Sequence, residues 1–337
     1  MTNKAATIYD VAKKAGVSPA TVSRVLNDPS KVTSDKRTKI LAVIKELDFI
    51  PKADAVANAR SQYHKIGVIA PFFTQPSFMQ RLRGISGVLS GQHYELVIYA
   101  IDKMEDLESY IELLVSNRRV DGLIALCLKP DQSMIRSLQT APFPVCFVEN
   151  EIDGFDSVSV KNLEGGQKAA EYLFSLGYRH PGFIGEQTHL PYAIPATEER
   201  LTGFSFYFAN QGILIPKNFI CTAVFEEKTL DEQIEKFLEQ DKLPDCVFCS
   251  SDLIATRFMV LAQAHHISVP GSIGILGFDD IDISKYTGLS SVNQNLDESG
   301  KTAAELVLSH IKDPDRPARN ILLPLNIIER TTTGSRF

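Results

Sequence analysis

TIYDVAKKAGVSPATVSRVL, residues 7–26, reads as two short helices joined by a tight turn. Thr7 stands where an N-cap belongs. Asp10, three residues on, completes capping-box spacing and puts a carboxylate near the positive end of the helix dipole. Ile8, Val11, Ala12 and Ala15 recur at helical spacing and give one apolar stripe. Gly16 suits the turn because it takes positive φ without a Cβ clash. Ser18 caps the second helix and Pro19 opens it, where a missing N–H costs nothing. Val22, Val25 and Leu26 then point inward, leaving Ala20, Thr21, Ser23 and Arg24 outside. A helix start with small residues and one Arg suits the DNA major groove, since Arg bonds guanine bidentately and Ala or Pro rests on a thymine methyl. An ordinary helical hairpin shares this spacing, so spacing alone leaves both readings open.

Downstream, Asn27-Asp28-Pro29-Ser30 breaks the pattern. A third helix is expected from about Ser34 to Leu47, capped by Thr33, with Ile40, Ile44 and Leu47 on one face and Pro51 as its stop. The run TIYDVAKKAGVSPATVSRVLND, with Val32, Thr33, Arg37 and LDFIP at 47–51, resembles the headpiece of the LacI–GalR family of bacterial transcription regulators. The resemblance implies a DNA-facing set of Thr7, Tyr9, Ser18, Pro19, Ala20, Thr21, Ser23, Arg24 and Asn27. It also implies a hinge at residues 51–64, where paired helices of a dimer lie and a leucine from each wedges into the minor groove. Asn58 holds that leucine position here, and Val56 replaces the usual Arg. Asn hydrogen-bonds groove edges but is no apolar wedge of the kind that unstacks a base step, so less DNA bending than the family norm is expected.

Charge supports a nucleic-acid partner. The whole chain carries a net −6, but residues 1–61 hold eleven Lys and Arg against six acids, a net of +5, which leaves −11 on the remainder. A basic end on an acidic body fits a DNA-binding module carried by a sensor. No apolar run approaches the ~18 residues of a membrane span, and MTNKAATIYD has no apolar signal region. Five cysteines, an odd number without framework spacing, fit reduced thiols. A cytoplasmic protein is expected.

From Lys65 onward, short apolar runs alternate with longer amphipathic ones. KIGVIAPF, ELVIYAI, GLIALCL and PVCFVEN read as strands, and the pattern restarts near Asn162 with HPGFIGE, FICTAVF, DCVFCS and SIGILGF. Such alternation implies parallel sheets covered by helices on both faces. The fold expected is a small all-α helix-turn-helix headpiece (1–50), a hinge (51–64) and a two-lobed α/β domain of two doubly wound sheets (65–337). Lobe one would take about 65–160 and 293–318, and lobe two about 161–292 and 319–332. The resemblance covers this region as well and implies a periplasmic-binding-protein-like sensor.

Enzyme-like fragments do not stand up. Gly300-Lys301-Thr302 mimics the end of a phosphate loop, but Asn295 holds the place of the required glycine. Cys246 and Cys249 lie in an apparent strand, where residues three apart face opposite sides and cannot share a metal. No metal, cofactor or catalytic residue is assigned. Binding residues are better marked. Ligands of doubly wound sheets sit beyond the carboxyl ends of the strands, where Phe72, Phe73, Phe78, Glu149, Asn150, Ser251, Asp252, Asp279 and Asp280 fall. Each alone reads equally as a turn or cap residue.

The resemblance implies that Arg200, in R-x-x-G-F, and Asp279, in GFDD, grip the effector, with Gln294, Glu149, Phe78 and, less securely, Phe225 as further pocket positions. Ser251 stands where relatives often carry Asn. An Arg with carboxylates and aromatics suits a polyhydroxylated ligand. The expectation is a homodimeric repressor of carbohydrate-utilisation genes that binds a pseudopalindromic operator and senses a sugar-like effector. An alternative replaces the sugar with a protein co-regulator or a non-sugar ligand. A sugar-binding transport receptor would share the sensor but needs an export signal and no basic headpiece.

Overall fold

A computed structural model describes residues 6–27, 32–47, 49, 63–186, 190–223 and 227–336. In the headpiece, α1 (Ile8–Ala15), α2 (Pro19–Asn27) and α3 (Ser34–Glu46) enclose a core of Val11, Ala12, Ala15, Val22, Val25, Ile40 and Val43. The capping box forms: the Thr7 amide donates to Asp10 Oδ2 at 2.8 Å and the Asp10 amide to Thr7 Oγ1 at 3.4 Å. Gly16 ends α1 at φ 68°, and the Thr21 amide donates to Ser18 Oγ at 3.2 Å. Thr33 occupies the N-cap of α3, but its side chain makes no capping bond. The Leu26 and Asn27 side chains, Val56, Asn58 and Phe225 lie outside the described residues.

The second unit alternates strand and helix. Its first half runs β1 (Lys65–Pro71), α4 (Pro76–Gly91), β2 (Glu95–Ile101), α5 (Met104–Asn117), β3 (Gly122–Leu126), α6 (Gln132–Gln139), β4 (Val145–Val148), β5 (Asp156–Ser159) and α7 (Asn162–Ser175). Next come β6 (Pro181–Glu186), α8 (Ala196–Asn210), β7 (Ile220–Ala223), α9 (Glu227–Leu238), β8 (Cys246–Cys249), α10 (Asp252–Ala264), β9 (Gly274–Asp279), α11 (Asp282–Thr287) and β10 (Ser290–Asn293). The chain closes with α12 (Leu296–Lys312), β11 (Asn320–Leu322) and β12 (Asn326–Ile328). Two six-stranded sheets result, ordered β11-β5-β4-β3-β1-β2 and β12-β10-β9-β8-β6-β7. β1–β3, β3–β4, β4–β5 and β5–β11 pair in parallel in the first sheet, as do β6–β7, β6–β8, β8–β9 and β9–β10 in the second, where β12 joins β10 antiparallel.

The chain passes between lobes three times. After β5, α7 packs on α8 in lobe two; after β10, α12 packs on α4 and on β3, β4 and β5 in lobe one. The third passage falls at 323–325, beyond the 318 expected, because Asn320–Leu322 pairs with β5 while Asn326–Ile328 pairs with β10. Both lobes bury apolar residues on each sheet face. In β8, Cys246 and Phe248 join Phe183, Phe204 and Phe278 on one side, while Val247 and Cys249 face Phe258 and Ile275 on the other. The two cysteines therefore stand on opposite faces and pack as small hydrophobes. Phe204 and Phe248 approach to 5.1 Å between ring centroids, a pairing that adds about 0.5–1.5 kcal/mol to the area buried. Among the described residues no helix is long and apolar enough to cross a membrane.

Candidate functional site

Two surfaces carry the chemistry, and each is described by itself. On the headpiece, α2 turns its apolar face to α1 and α3 and leaves Ser18, Ala20 and Arg24 exposed, with Pro19, Thr21 and Ser23 half-buried. Thr7 is exposed at the start of α1, and Tyr9 is 71% exposed despite its size. Polar and small groups around one guanidinium and one unburied ring form a surface able to contact phosphates and base edges.

In the sensor unit, the carboxyl ends of both sheets face one cavity of about 100 Å³. Lobe one contributes Phe72, Phe78, Arg81, Cys127 and Glu149, lobe two Glu186, Thr197, Arg200, Ser251 and Asp279, and the passage between them Gln294. The lobes meet on both sides of it. Tyr192, fully buried, donates its O–H to Asp102 O at 2.8 Å, and the Lys129 amide donates to Tyr192 O at 2.7 Å. Elsewhere Arg83 Nη1 reaches Asp282 Oδ2 at 2.7 Å, and the Asp282 amide donates to Gln80 Oε1 at 3.0 Å. Phe72, Cys127, Glu149, Asp279 and Asp280 all hold positive φ at these strand ends. Such conformations cost about 1–3 kcal/mol each and gather where function needs them.

Arg200 lies flat on Phe278, its guanidinium carbon 3.6 Å from the ring centroid. Its Nε donates to Asn162 Oδ1 at 2.9 Å and its Nη1 to Ser250 O at 2.6 Å. Nη2 takes no part in these bonds, and Asp279 lines the same cavity. Gln294, nearly fully buried, donates through Nε2 to Asp279 Oδ1 and accepts from Arg81 Nη2 at 3.1 Å. Arg81 Nη2 also pairs with Glu149 Oε1 at 3.1 Å. A continuous polar chain thus runs from Asp279 in lobe two to Glu149 in lobe one. Phe78 stands edge-on to Phe72, centroids 6.3 Å apart. Ser251 lines the cavity and caps α10 through a 3.4 Å bond from the Ile254 amide.

Several expected contacts are elsewhere. Asp252 is not in the cavity wall: it is buried under α10, where it accepts from the Ile281 amide at 2.9 Å, Ser284 Oγ at 2.6 Å and Ser291 Oγ at 2.5 Å. As the first residue of α10 it turns toward the sheet, where Gly277 makes room; a Cβ there would lie 2.2 Å from Asp252 Oδ1. Asp280 pairs with Arg330 at 2.6 Å, Asn150 donates to Leu128 O at 2.7 Å, and Phe73 packs in the lobe-one core. Arg81, Glu186 and Thr197 were not foreseen. A signal for Arg81 exists in the chain: R-L-R-G at 81–84 matches R-L-T-G at 200–203.

Burial sets the protonation of this cavity. It pushes the Glu186 carboxyl up to about 7, helped by the charge of Asp279. It also raises Asp279, against the pull of Arg200 and Arg81, and raises Asp252. Below about pH 4.5 Glu186 is protonated folded or unfolded. As pH rises toward 7 the unfolded chain releases the proton while the folded one holds it, so stability falls across that window. Urea midpoints are therefore expected to drop between pH 4.5 and 7 more in the parent than in Glu186→Gln. Parallel profiles would refute the assignment. The Cys127 thiol, raised to about 11 mainly by burial, is unreactive at neutral pH.

The family of bacterial regulatory proteins named for LacI matches residues 7–52, and the periplasmic binding protein-like domain matches residues 170–333. The HTH-type transcriptional repressor PurR of Vibrio cholerae serotype O1 (strain M66-2) is 28% identical over 97% of this chain and 98% of its own length. PurR of Escherichia fergusonii is 29% identical over 98% of this chain and 97% of its own length. Among solved structures, a LacI-family transcriptional regulator from Silicibacter pomeroyi superposes with a TM-score of 0.83 at 27% identity, covering 97% of this chain and 99% of that one. The lac repressor dimer bound to operator and the anti-inducer ONPF shares the fold, with a TM-score of 0.80 at 24% identity over 98% and 100% of the two chains. Headpiece and two-sheet domain agree with these matches along nearly the whole chain: residues 7–52 match the LacI family of bacterial regulatory proteins, and the full length is similar to HTH-type transcriptional repressors.

Proposed function

We propose that the protein represses carbohydrate-utilisation genes as a homodimer on a pseudopalindromic operator, and that a sugar-like effector in the inter-lobe cavity sets its operator affinity. In this reading residues 1–50 read the half-sites, 51–64 form the hinge, and 65–337 bind effector and dimerise. Operator symmetry mirrors that of the dimer. The effector acts by binding one arrangement of the lobes better than the other, because affinity without that difference shifts nothing.

The observation that carries the sensing half is the buried Arg200, stacked on Phe278 with Nη2 outside its bonds to Asn162 and Ser250, in a cavity that Asp279 also lines. An arginine and a carboxylate side by side clamp adjacent hydroxyls, and the aromatic Phe78 and Phe72 supply an apolar wall for the sugar ring. A thermal-shift panel of sugars and nucleobases on the full-length protein selects the ligand. Arg200→Ala and Asp279→Ala are each expected to weaken its binding about ten- to hundredfold by calorimetry, the worth of a bond to a charged group. The same ligand is expected to change operator affinity in the parent and not in Arg200→Ala. Unchanged ligand affinity in both variants would remove Arg200 and Asp279 from the pocket.

A further inference from the structure

The two lobes repeat one plan, and the repeat reaches the cavity side chains. Read across the two sheet orders, β1 corresponds to β6, β4 to β9 and β5 to β10. The helices after β1 and β6, α4 and α8, carry Arg81-Leu82-Arg83-Gly84 and Arg200-Leu201-Thr202-Gly203. Each is crossed at the same register by the helix arriving from the other lobe. A Cβ at Gly300 of α12 would lie 2.0 Å from Arg81 O, and one at Gly166 of α7 2.0 Å from Arg200 O. The reciprocal contacts match too: Gly84 against Asp297 O, and Gly203 against Leu163 O. Each arginine bonds a side-chain amide near the start of that crossing helix, Gln294 for Arg81 and Asn162 for Arg200. Each faces the carboxylate at the end of an equivalent strand, Glu149 after β4 and Asp279 of β9, both at positive φ.

We infer that Arg81 is a second effector-reading residue, the lobe-one counterpart of Arg200, and that with Glu149 it fits the cavity to an uncharged polyhydroxylated ligand gripped from both lobes. This rests on the cavity being the effector site. Arg81 makes both of its bonds through Nη2, at 3.1 Å each, and its Nε is buried with no partner. Glu149 Oε2 is likewise buried and unpartnered. A structural ion pair needs its remaining protons and lone pairs satisfied, and this one leaves them open. A buried donor and a buried acceptor stand unmet on the same pair, and a hydroxyl is the group that answers both. A phosphate or carboxylate would answer the arginine but bring negative charge against Glu149 and Asp279. An ammonium would answer Glu149 but meet two guanidinium groups.

The test uses full-length protein and a panel of aldopentoses, aldohexoses and inositols, each beside its phosphate ester, titrated by calorimetry. A free sugar is expected to bind at least tenfold more tightly than its phosphate ester, and Arg81→Gln to weaken it at least tenfold, as Arg200→Gln does. A phosphate ester that binds as well as or better than the free sugar overturns the inference, as does unchanged affinity in Arg81→Gln. Silence across the whole panel overturns the carbohydrate reading instead, and a second variant then decides Arg81 by itself. Arg81→Met combined with Glu149→Leu is expected to leave the melting temperature of the ligand-free protein unchanged or raised, as for a pair retained for a ligand. A fall of several degrees would make the pair structural and overturn the inference.

Discussion

Gly300→Ala is expected to cost about 3 kcal/mol or more of unfolding free energy, although alanine is the better helix former. In an unobstructed helix interior the same change gains up to about 1 kcal/mol. At Gly300 the added methyl would stand 2.0 Å from Arg81 O and 2.8 Å from Arg81 C, inside the backbone of the crossing helix. No rotamer change relieves a clash with backbone, so α12 and α4 must separate and open the contacts of Leu82, Ile85, Ala303, Ala304 and Val307. Overpacking of this kind costs roughly 1–3 kcal/mol where side chains can yield, and more where they cannot. Gly87, on the same α4 helix with nothing within 4 Å of its Cβ position, is the internal control: Gly87→Ala is expected to be neutral or stabilising. Urea unfolding of the two variants separates clash from propensity, and equal midpoints would refute the argument. Because the crossing sets where Arg81 lies, Gly300→Ala is also expected to weaken effector binding.

Asp156→Ala is expected to cost about 3–5 kcal/mol, the usual penalty for leaving one partner of a buried ion pair uncompensated. Asp156 is fully buried at the start of β5 and takes Arg316 Nη1 at 2.9 Å and Nη2 at 2.5 Å, His310 Nδ1 at 3.0 Å and the Arg319 amide at 2.9 Å. Arg316 is itself buried and also donates to Leu306 O at 2.7 Å, so the cluster ties the end of α12 and the run into β11 to the sheet. Burial alone would raise the Asp156 carboxyl, but the bonds from Arg316 and His310 outweigh it and hold the group below its ordinary value. A depressed carboxylate stabilises the fold above its unfolded pKa and loses that contribution as pH falls through the folded one, so the loss falls below about pH 4. That sign is opposite to Glu186, which weakens the fold as pH rises. Asp156→Asn should therefore flatten the acid limb of the stability profile while leaving the neutral limb sloping. An Asp156→Ala loss under 1 kcal/mol would show that Arg316 finds other partners.

What the sequence determined by itself was local. Thr7, Asp10, Gly16, Ser18 and Pro19 act within a few residues of themselves, through caps and a left-handed turn, so their spacing sufficed to write the first two helices of the headpiece. The long apolar runs of β1, β3 and β9 were equally plain, because strands buried on both faces need little else to declare them. That Arg200 and Asp279 line the cavity accords with the positions that the resemblance implied. Polar burial was not legible, since it depends on partners far away in the chain. DSVS at 156–159 has no apolar run to declare it and was not among the expected strands; it is a strand because Asp156 meets Arg316, 160 residues on, and β11 pairs alongside. Asp252 looks like a pocket acid until Ser284 and Ser291 close over it. Arg81 looks like surface on a helix until Gln294, 213 residues later, returns from the other lobe to hold it. Local propensity fixed which segments are helix or strand, while only the packed lobes decided which charged side chains lose water, and it is that loss of water that turns a polar residue into part of a site.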